Sequence, residues 1–246
     1  MAELRLAFGN AAADYERGRP GWPDEIALVG GLRPEAEVLD LGAGTGKLTR
    51  VLARRFARVT AVEPDESMRA VSFLATQCCK VVEGSAEAIP LPDDSIDGVF
   101  CADCFHWFDW PVALAEIERV LRPRGALVLC FHQSNGETEP PFPEAAEQAI
   151  ERCRRPGVEP GGVIYQSGAW RGPFEGSAFE PLREEVFDQE ASLDRDGMVS
   201  LALSQSICAV LPDDERAALA IELLGFIPDV TFRFPIRAEV HWTRLR

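Results

Sequence analysis

Basic charge is what this 246-residue chain has least of: 25 Lys and Arg stand against 40 Asp and Glu, a formal net charge of −15 at pH 7. A phosphate backbone would be repelled over most of such a surface, so nucleic acid is a poor partner. The one short basic stretch, Arg152 to Arg155, is interrupted by Cys153. Long apolar runs are also missing; none approaches the roughly 18 residues needed to cross a bilayer, which argues against a membrane partner. Residues 1–20 hold no apolar core followed by a cleavage site, so a cytoplasmic chain is expected. The seven cysteines are odd in number, which suits reduced thiols, with the adjacent pair Cys78-Cys79 expected in packing. Cys101-x-x-Cys104 has no second such pair, so no metal site is expected. Internal repeats and low-complexity tracts are absent. What remains, 46% apolar and 26% charged, is the composition of an ordinary globular protein, long enough for one domain with a large core.

Glycine, by contrast, is concentrated. Val38–Leu41 reads as a short buried strand, Gly42, Gly44 and Gly46 as a tight turn, and a helix begins at about Gly46. Such glycines let the backbone take positive φ and approach a ligand without a Cβ clash, while free N–H groups at the helix start face it. Leu48, Val51, Leu52 and Phe56 then mark one helical face. The next strand, Val59–Val62, ends at Glu63-Pro64, and Glu63 follows Gly42 by 21 residues. At that spacing an acidic residue accepts hydrogen bonds from ribose hydroxyls; an ordinary solvated strand end is the alternative.

A helix over about Ser67–Ala75, a third strand near Lys80–Glu83 and a turn Gly84-Ser85-Ala86-Glu87 follow. Strand four, Ile96–Ala102, runs into an aromatic stretch, Asp103 to Trp110. Pro111 starts a helix with apolar face Leu114, Ile117 and Leu121, and Ala126–Phe131 is a fifth, continuously apolar strand. Strands alternating with helices predict a doubly wound α/β fold with a parallel sheet covered on both faces. Residues 135–180, rich in Pro and Gly around a helix Pro143–Arg154, read as an insertion on the ligand-facing edge. A strand Arg183–Ser192, helices around Met198–Leu203 and Pro212–Leu224, and a last strand beginning after Pro235 complete the chain. Before the first strand, Tyr15, Arg17, Arg19, Pro20, Trp22 and Pro23 form an aromatic and basic cluster, with a helix expected over Pro23–Gly31. This segment is either a lid over the cofactor or packing on the outer face of the sheet.

Three glycine motifs compete for the turn. The triphosphatase loop fails twice, because Leu41 stands where its first Gly belongs and Leu48 where its Ser or Thr belongs. The dinucleotide loop fails at Lys47, which replaces its third Gly, and Asp40 before the turn would repel a pyrophosphate. An acid there suits a ligand carrying a positive group.

Val38-Leu-Asp-Leu-Gly-Ala-Gly-Thr-Gly46, Ala61-Val-Glu-Pro64, Gly84-Ser-Ala-Glu87, Phe105-His-Trp-Phe-Asp109 and Arg119-Val-Leu-Arg-Pro-Arg-Gly125 together resemble the class I S-adenosylmethionine-dependent methyltransferases. Tyr15-x-x-x-Arg19-Pro-Gly-Trp-Pro23 is similar to the start of their small-molecule branch, methyltransferase type 11, which includes trans-aconitate methyltransferase-like enzymes. The resemblance covers residues 8–131 well. It implies a Rossmann-like seven-stranded sheet, order 3-2-1-4-5-7-6 with the last strand antiparallel, in one domain. That domain would comprise an N-terminal lid (1–33), a cofactor-binding core (34–134), an insertion (135–180) and a C-terminal part (181–246). It further implies S-adenosylmethionine as cofactor. Asp40, Gly42, Ala43, Gly44 and Gly46 would hold its methionine part, Glu63 with Pro64 its ribose, and Ser85, Ala86 and Glu87 its adenine. Cys101 and Ala102 would lie near the methionine moiety. Tyr15, Arg19, Trp22, Phe105, His106 and Trp107 would line the site of a small-molecule acceptor, a carboxylic acid or a hydroxyl compound. Ala43 replaces a commoner Cys, and Ser85 stands where many relatives carry Asp.

A carboxylate acceptor needs no base; a hydroxyl, amine or carbon acid does, and His106 is the expected catalytic base, with packed-histidine duty the alternative. His132 and His241 are expected to be structural. Arg19, Arg152, Arg155 and Arg171 are the candidates for positive charge at an acidic acceptor. Two rival functions remain: a regulatory protein that binds the cofactor without methyl transfer, and an NAD-dependent oxidoreductase.

Overall fold

The computed structural model describes residues 11–76, 79–133, 140–156, 158 and 161–246. The expectation for Cys78, and those parts of the lid and insertion that fall on residues 1–10, 135–139, 157, 159 and 160, lie outside the described residues. The strands are β1 (Glu37–Leu41), β2 (Arg58–Glu63), β3 (Lys80–Glu83), β4 (Ile96–Ala102), β5 (Leu121–Gln133), β6 (Arg183–Leu193) and β7 (Phe232–Arg244). They form one seven-stranded sheet in the order β3-β2-β1-β4-β5-β7-β6. β1 to β5 pair in parallel, and β7 runs antiparallel to both β5 and β6.

The helices are α1 (Ala12–Gly18), α2 (Lys47–Arg55), α3 (Glu66–Ala75), α4 (Trp110–Val120), α5 (Glu144–Glu151), α6 (Gly161–Gln166), α7 (Arg195–Leu203), α8 (Ser206–Ala209) and α9 (Asp213–Phe226). The central strands are apolar throughout because alternate residues serve two separate cores. Leu39, Leu41, Val99, Cys101, Leu127 and Leu129 pack with Phe105 and Ile117 of the α4 side. Val38, Phe100, Val128 and Cys130 pack with Leu48, Val51 and Leu52 of α2 on the other. Each such Leu or Phe, fully buried, contributes about 1.5–3 kcal/mol against leaving it in water. A third core, built from α5 and α7 to α9 with Phe234 and Ile236, sits at the C-terminal part of the chain.

Two expectations change. The segment before β1 is a 3-10 helix over Asp24–Gly31, broken by non-helical Val29 and Gly30. The glycine pair takes positive φ (76° and 61°), which ends a helix rather than extending it. β7 begins at Phe232, before Pro235. Among the described residues β7 pairs to β5 from Arg237 onward, and Pro235 is paired to Glu190 of β6.

Sheet order reverses between β1 and its two neighbours, β2 and β4, whose chain connections leave in opposite directions. At such a switch point a crevice opens beyond the strands' C-terminal ends, the usual ligand site of an open α/β sheet. The glycine turn leaves β1 there, and Asp103 leaves β4 beside it.

Candidate active site

Backbone geometry builds one wall. Gly42, Gly44 and Gly46 have φ of 71°, 55° and 81°. The N–H groups of Gly42 and Ala43 donate to the Val62 carbonyl at 2.8 and 3.1 Å, tying the exit of β1 to that of β2. A Cβ on Gly42 would lie 2.9 Å from Cys104 Sγ, whereas one on Gly44 would meet nothing within 4 Å. The turn is therefore closed against β4 at Gly42 and open at Gly44.

Two acids frame it. Asp40 is wholly buried; its Oδ2 accepts from Thr49 Oγ1 at 2.6 Å, and its Oδ1 has no partner. Burial pushes its carboxyl up to about 7, with Glu63 adding to the effect. Glu63, 7% exposed, accepts from Gly44 N at 2.9 Å and Asp65 N at 3.0 Å. Burial raises its carboxyl too, and these two hydrogen bonds oppose the rise. Carboxylate oxygens have more than one acceptor site each, so capacity is left. Pro64 and Glu63 carbonyls both accept from Arg69 Nη1. At the exit of β3, Ser85 bridges to Ala88, Ala86 is buried in the core, and Glu87 Oε1 accepts from Asp109 N at 3.0 Å.

The exit of β4 carries the other wall. Cys101 is fully buried and Ala102 half-buried. Asp103 follows with φ of 51°, a left-handed conformation that costs a non-glycine residue about 1 kcal/mol and needs support. His132, near the C-terminal end of β5, supplies it: its backbone N–H donates to Asp103 Oδ1 at 2.9 Å and its Nδ1 lies 2.7 Å from Oδ2. Burial acts to raise the Asp103 carboxyl, but the His132 partnership and the Arg19 charge outweigh it and hold the group below its ordinary range.

Next to this pair lies a cavity of about 450 Å³. Tyr15, Arg19, His106 and Trp107 line it, as do Asp103 and His132. Helix α5 and its approach contribute Phe142 and Ile150, α6 contributes Tyr165, and Leu201 belongs to α7. His106 is 6% exposed, and burial pushes its imidazole down to about 4, so the ring is neutral at pH 7. Its Nδ1 has no partner. Helix α1 closes over the turn: Glu16 accepts from Lys47 Nζ through its carbonyl at 2.7 Å and from Arg50 through its carboxylate at 2.8 Å. Gly18 lets α1 touch α7 directly, since a Cβ there would stand 2.1 Å from Leu201 N.

Two residues expected at the acceptor stand elsewhere. Phe105 is wholly buried in the core, edge-on to Trp170 and Phe108, because the aromatic stretch folds its first ring inward. Trp22 is stacked on the His132 ring at 3.8 Å and does not line the cavity. Among the candidate cations, Arg152 and Arg155 form surface pairs with Glu222 and Glu215, and Arg171 lies over Trp170. Arg19 alone of the four lines the cavity, where its Nε and Nη2 donate to Ser204 Oγ and O at 2.9 and 3.1 Å. The Asp103–His132 pair was not anticipated from the sequence, although Asp103 directly follows β4 and His132 lies near the end of its neighbour β5, with Ala102 paired to Cys130. Among the described residues no helix is long and apolar enough to cross a membrane.

Comparison with known proteins bears on this arrangement. The methyltransferase-domain family matches residues 39–129, from β1 into β5. An uncharacterized methyltransferase of Schizosaccharomyces pombe is 34% identical over 223 residues, covering 88% of this chain and 85% of its own. One from Mycobacterium tuberculosis is 46% identical over 132 residues, 53% of this chain and 54% of its own; this chain thus spans about half the length of that relative. The structure of phosphoethanolamine N-methyltransferase 2 from Haemonchus contortus, in complex with phosphomonomethylethanolamine and S-adenosylhomocysteine, shares the fold. Its TM-score is 0.53 at 16% identity, over 95% of this chain and 56% of that one. With the strand order, the turn between β1 and α2 and a relative alike over most of both chains all in agreement, the protein belongs to the class I S-adenosylmethionine-dependent methyltransferases.

Proposed function

We propose that the protein transfers a methyl group from S-adenosylmethionine to a small dissolved acceptor, a carboxylic acid or a hydroxyl compound, in the cytoplasm. One observation carries the reading: Asp40 holds a buried, unpartnered carboxylate oxygen at a glycine turn that is open at Gly44. An isolated buried acid is costly, and a cationic ligand group offsets that cost. Asp40 and the turn Gly42, Ala43, Gly44 and Gly46 hold the methionine part, Glu63 beside Pro64 the ribose, and Ser85 to Glu87 the adenine, with Cys101 and Ala102 beneath. When bound, the cofactor supplies a methyl group already activated on a sulfonium. The chain's own task is then to orient the acceptor and exclude water. Tyr15, Arg19, His106 and Trp107 do this from the cavity wall, and the described part of the N-terminal segment around Tyr15 to Pro20 acts as the lid over it.

Calorimetric titration with S-adenosylhomocysteine and with NADH, followed by labelled-methyl transfer across small carboxylic acids, phenols and amines, tests the reading. Binding of S-adenosylhomocysteine together with transfer to an acid or a hydroxyl compound is expected. Binding of NADH alone overturns it, and cofactor binding without transfer to any acceptor favours a regulatory role.

A further inference from the structure

We propose that His132, held by Asp103, is the general base of the reaction and that the acceptor is a hydroxyl compound with a largely apolar body. This rests on the methyl-transfer reading above and narrows its acceptor. Three features of His132 carry the inference. Its ring is fixed on two sides, by Asp103 at 2.7 Å from Nδ1 and by the Trp22 ring at 3.8 Å. With Nδ1–H donating to the carboxylate, the neutral ring keeps its lone pair on Nε2, a buried nitrogen with no protein partner that a hydroxyl seated beside it would satisfy. Finally, both His132 and Asp103 line the 450 Å³ cavity. An imidazole oriented by a carboxylate through one nitrogen, with the other free for a substrate proton, is the working arrangement of a general base. Asp103 is the positioning residue, and its left-handed backbone, maintained by the His132 N–H, is what places the carboxylate beside the ring.

His106, the histidine singled out from the sequence, suits this duty less well. Its nearest aromatic neighbours are Trp107 and Phe131, and its Nδ1 is buried with no carboxylate to orient the ring. The other titratable and charged groups lining the same cavity are Arg19 and Tyr15 from the N-terminal segment, His106 after β4, Glu147, Glu151 and Arg154 around α5, and Tyr165 of α6. The lining thus holds three carboxylates against two guanidinium groups, and Arg154 is paired with Glu151. That balance does not favour an anionic acceptor, which would in any case need no base. Apolar walls from Phe131, Phe142, Ile150, Ile207, Phe234 and Ile236 suit a hydrocarbon or aromatic body.

In the step itself the acceptor O–H bond breaks and its proton passes to His132 Nε2. The freed oxygen pair forms the new O–C bond, and the electrons of the broken S–C bond stay on sulfur. Asp103 stabilises the imidazolium until the proton leaves to water.

The test has two arms. In the first, ¹⁵N NMR of the unliganded wild-type protein locates the ring proton of neutral His132. A proton on Nδ1, lost from that preference in Asp103→Asn, is expected; a proton on Nε2 overturns the proposal even should the variants misfold. In the second, His132→Gln and Asp103→Asn are compared with wild type on hydroxyl acceptors over pH 6–9. S-adenosylhomocysteine affinity should stay within about twofold, because neither residue belongs to the glycine turn, while kcat falls by roughly 10²-fold or more in His132→Gln. If wild type binds S-adenosylhomocysteine and turns over, but His132→Gln matches it at every pH, the base assignment fails and methyl transfer stands. If wild type neither binds nor transfers, the methyltransferase reading fails and takes the base with it.

Discussion

The two sides of the crevice are built on different principles. The side proposed for the cofactor is made by short local segments: one turn between β1 and α2, positive φ at three glycines, and two acids near the ends of β1 and β2. The side proposed for the acceptor is gathered from α1, the C-terminal ends of β4 and β5, helices α5 to α8, and β7. Local geometry of the first kind leaves a mark in sequence, because each glycine answers a backbone requirement within a few residues. Long-range assembly of the second kind leaves almost none.

The largest effect expected lies where the two sides meet. Gly18→Ala places a Cβ against the Leu201 backbone, 2.1 Å from its nitrogen, so α1 must lift off α7. Arg19 and Tyr15 move with it, and the acceptor cavity loses one wall. Turnover should fall by about 10²-fold or more. Calorimetry with S-adenosylhomocysteine separates the sides: affinity reduced by less than about tenfold leaves the glycine turn intact. Equal loss of binding and turnover would show that the lid and the turn are one unit.

Next in size is Asp40→Asn. The native carboxyl titrates at about 7 against an ordinary 3.8, so between those values the folded state holds a proton that the unfolded chain releases. Stability therefore falls as pH rises through that window, by on the order of 4 kcal/mol at most. Asn carries no such penalty and keeps an acceptor for Thr49. Urea melts at pH 4 and pH 8 should show wild type losing stability across the interval and the variant losing little, while S-adenosylhomocysteine affinity of the variant drops. A variant that binds as well as wild type would remove Asp40 from the cofactor site.

His106→Gln gives the opposite slope from the acceptor side. Burial holds the native imidazole near 4 against an ordinary 6.5, so in that window the unfolded chain takes up a proton that the folded state refuses. Stability rises with pH there and is lost on acidification, by about 3 kcal/mol at most. Gln should flatten that acid limb in urea melts at pH 4.5 and 7. An unchanged limb would mean that the ring is protonated in place.

The same contrast explains what was legible. Strand order came from the family resemblance that the motifs at the strand exits carry, and the observed sheet has that order. Pro235 misled because a missing donor matters only where a neighbour needs it, and the described pairing of β7 to β5 begins at Arg237. Trp22 and His132 gave no sign of each other, being 110 positions apart and joined only by stacking. The Asp103–His132 pair was within reach once β4 and β5 were taken as neighbours, because Asp103 directly follows β4 and His132 stands two positions beyond Cys130, the partner of Ala102. Phe105 looked like its cavity-lining neighbours His106 and Trp107; only the packing of the 3-10 turn over Phe105–Trp107 separates the inward ring from the other two.

The smallest effect sharpens the comparison by subtraction. Helix α1 is tied down by charge as well as by the close contact at Gly18, and the ties differ in burial. Arg17 reaches Asp194 and Asp196 at 3.3 Å, but its side chain is 51% exposed. Water screens such pairs, and holding a long side chain in place costs entropy, so Arg17→Ala should cost no more than about 0.5 kcal/mol. Arg216, by contrast, is 8% exposed and pairs with Asp14. Its replacement leaves the half-buried Asp14 carboxylate without its partner and empties a buried site, which costs more than loss of the surface pair. Thermal melts of Arg17→Ala and Arg216→Ala in low and high salt therefore distinguish a lid steered by surface charge from one held by packing. A near-silent, salt-insensitive Arg17→Ala places the grip of α1 at Gly18 and Arg216, and a large, salt-dependent loss would move it to the surface.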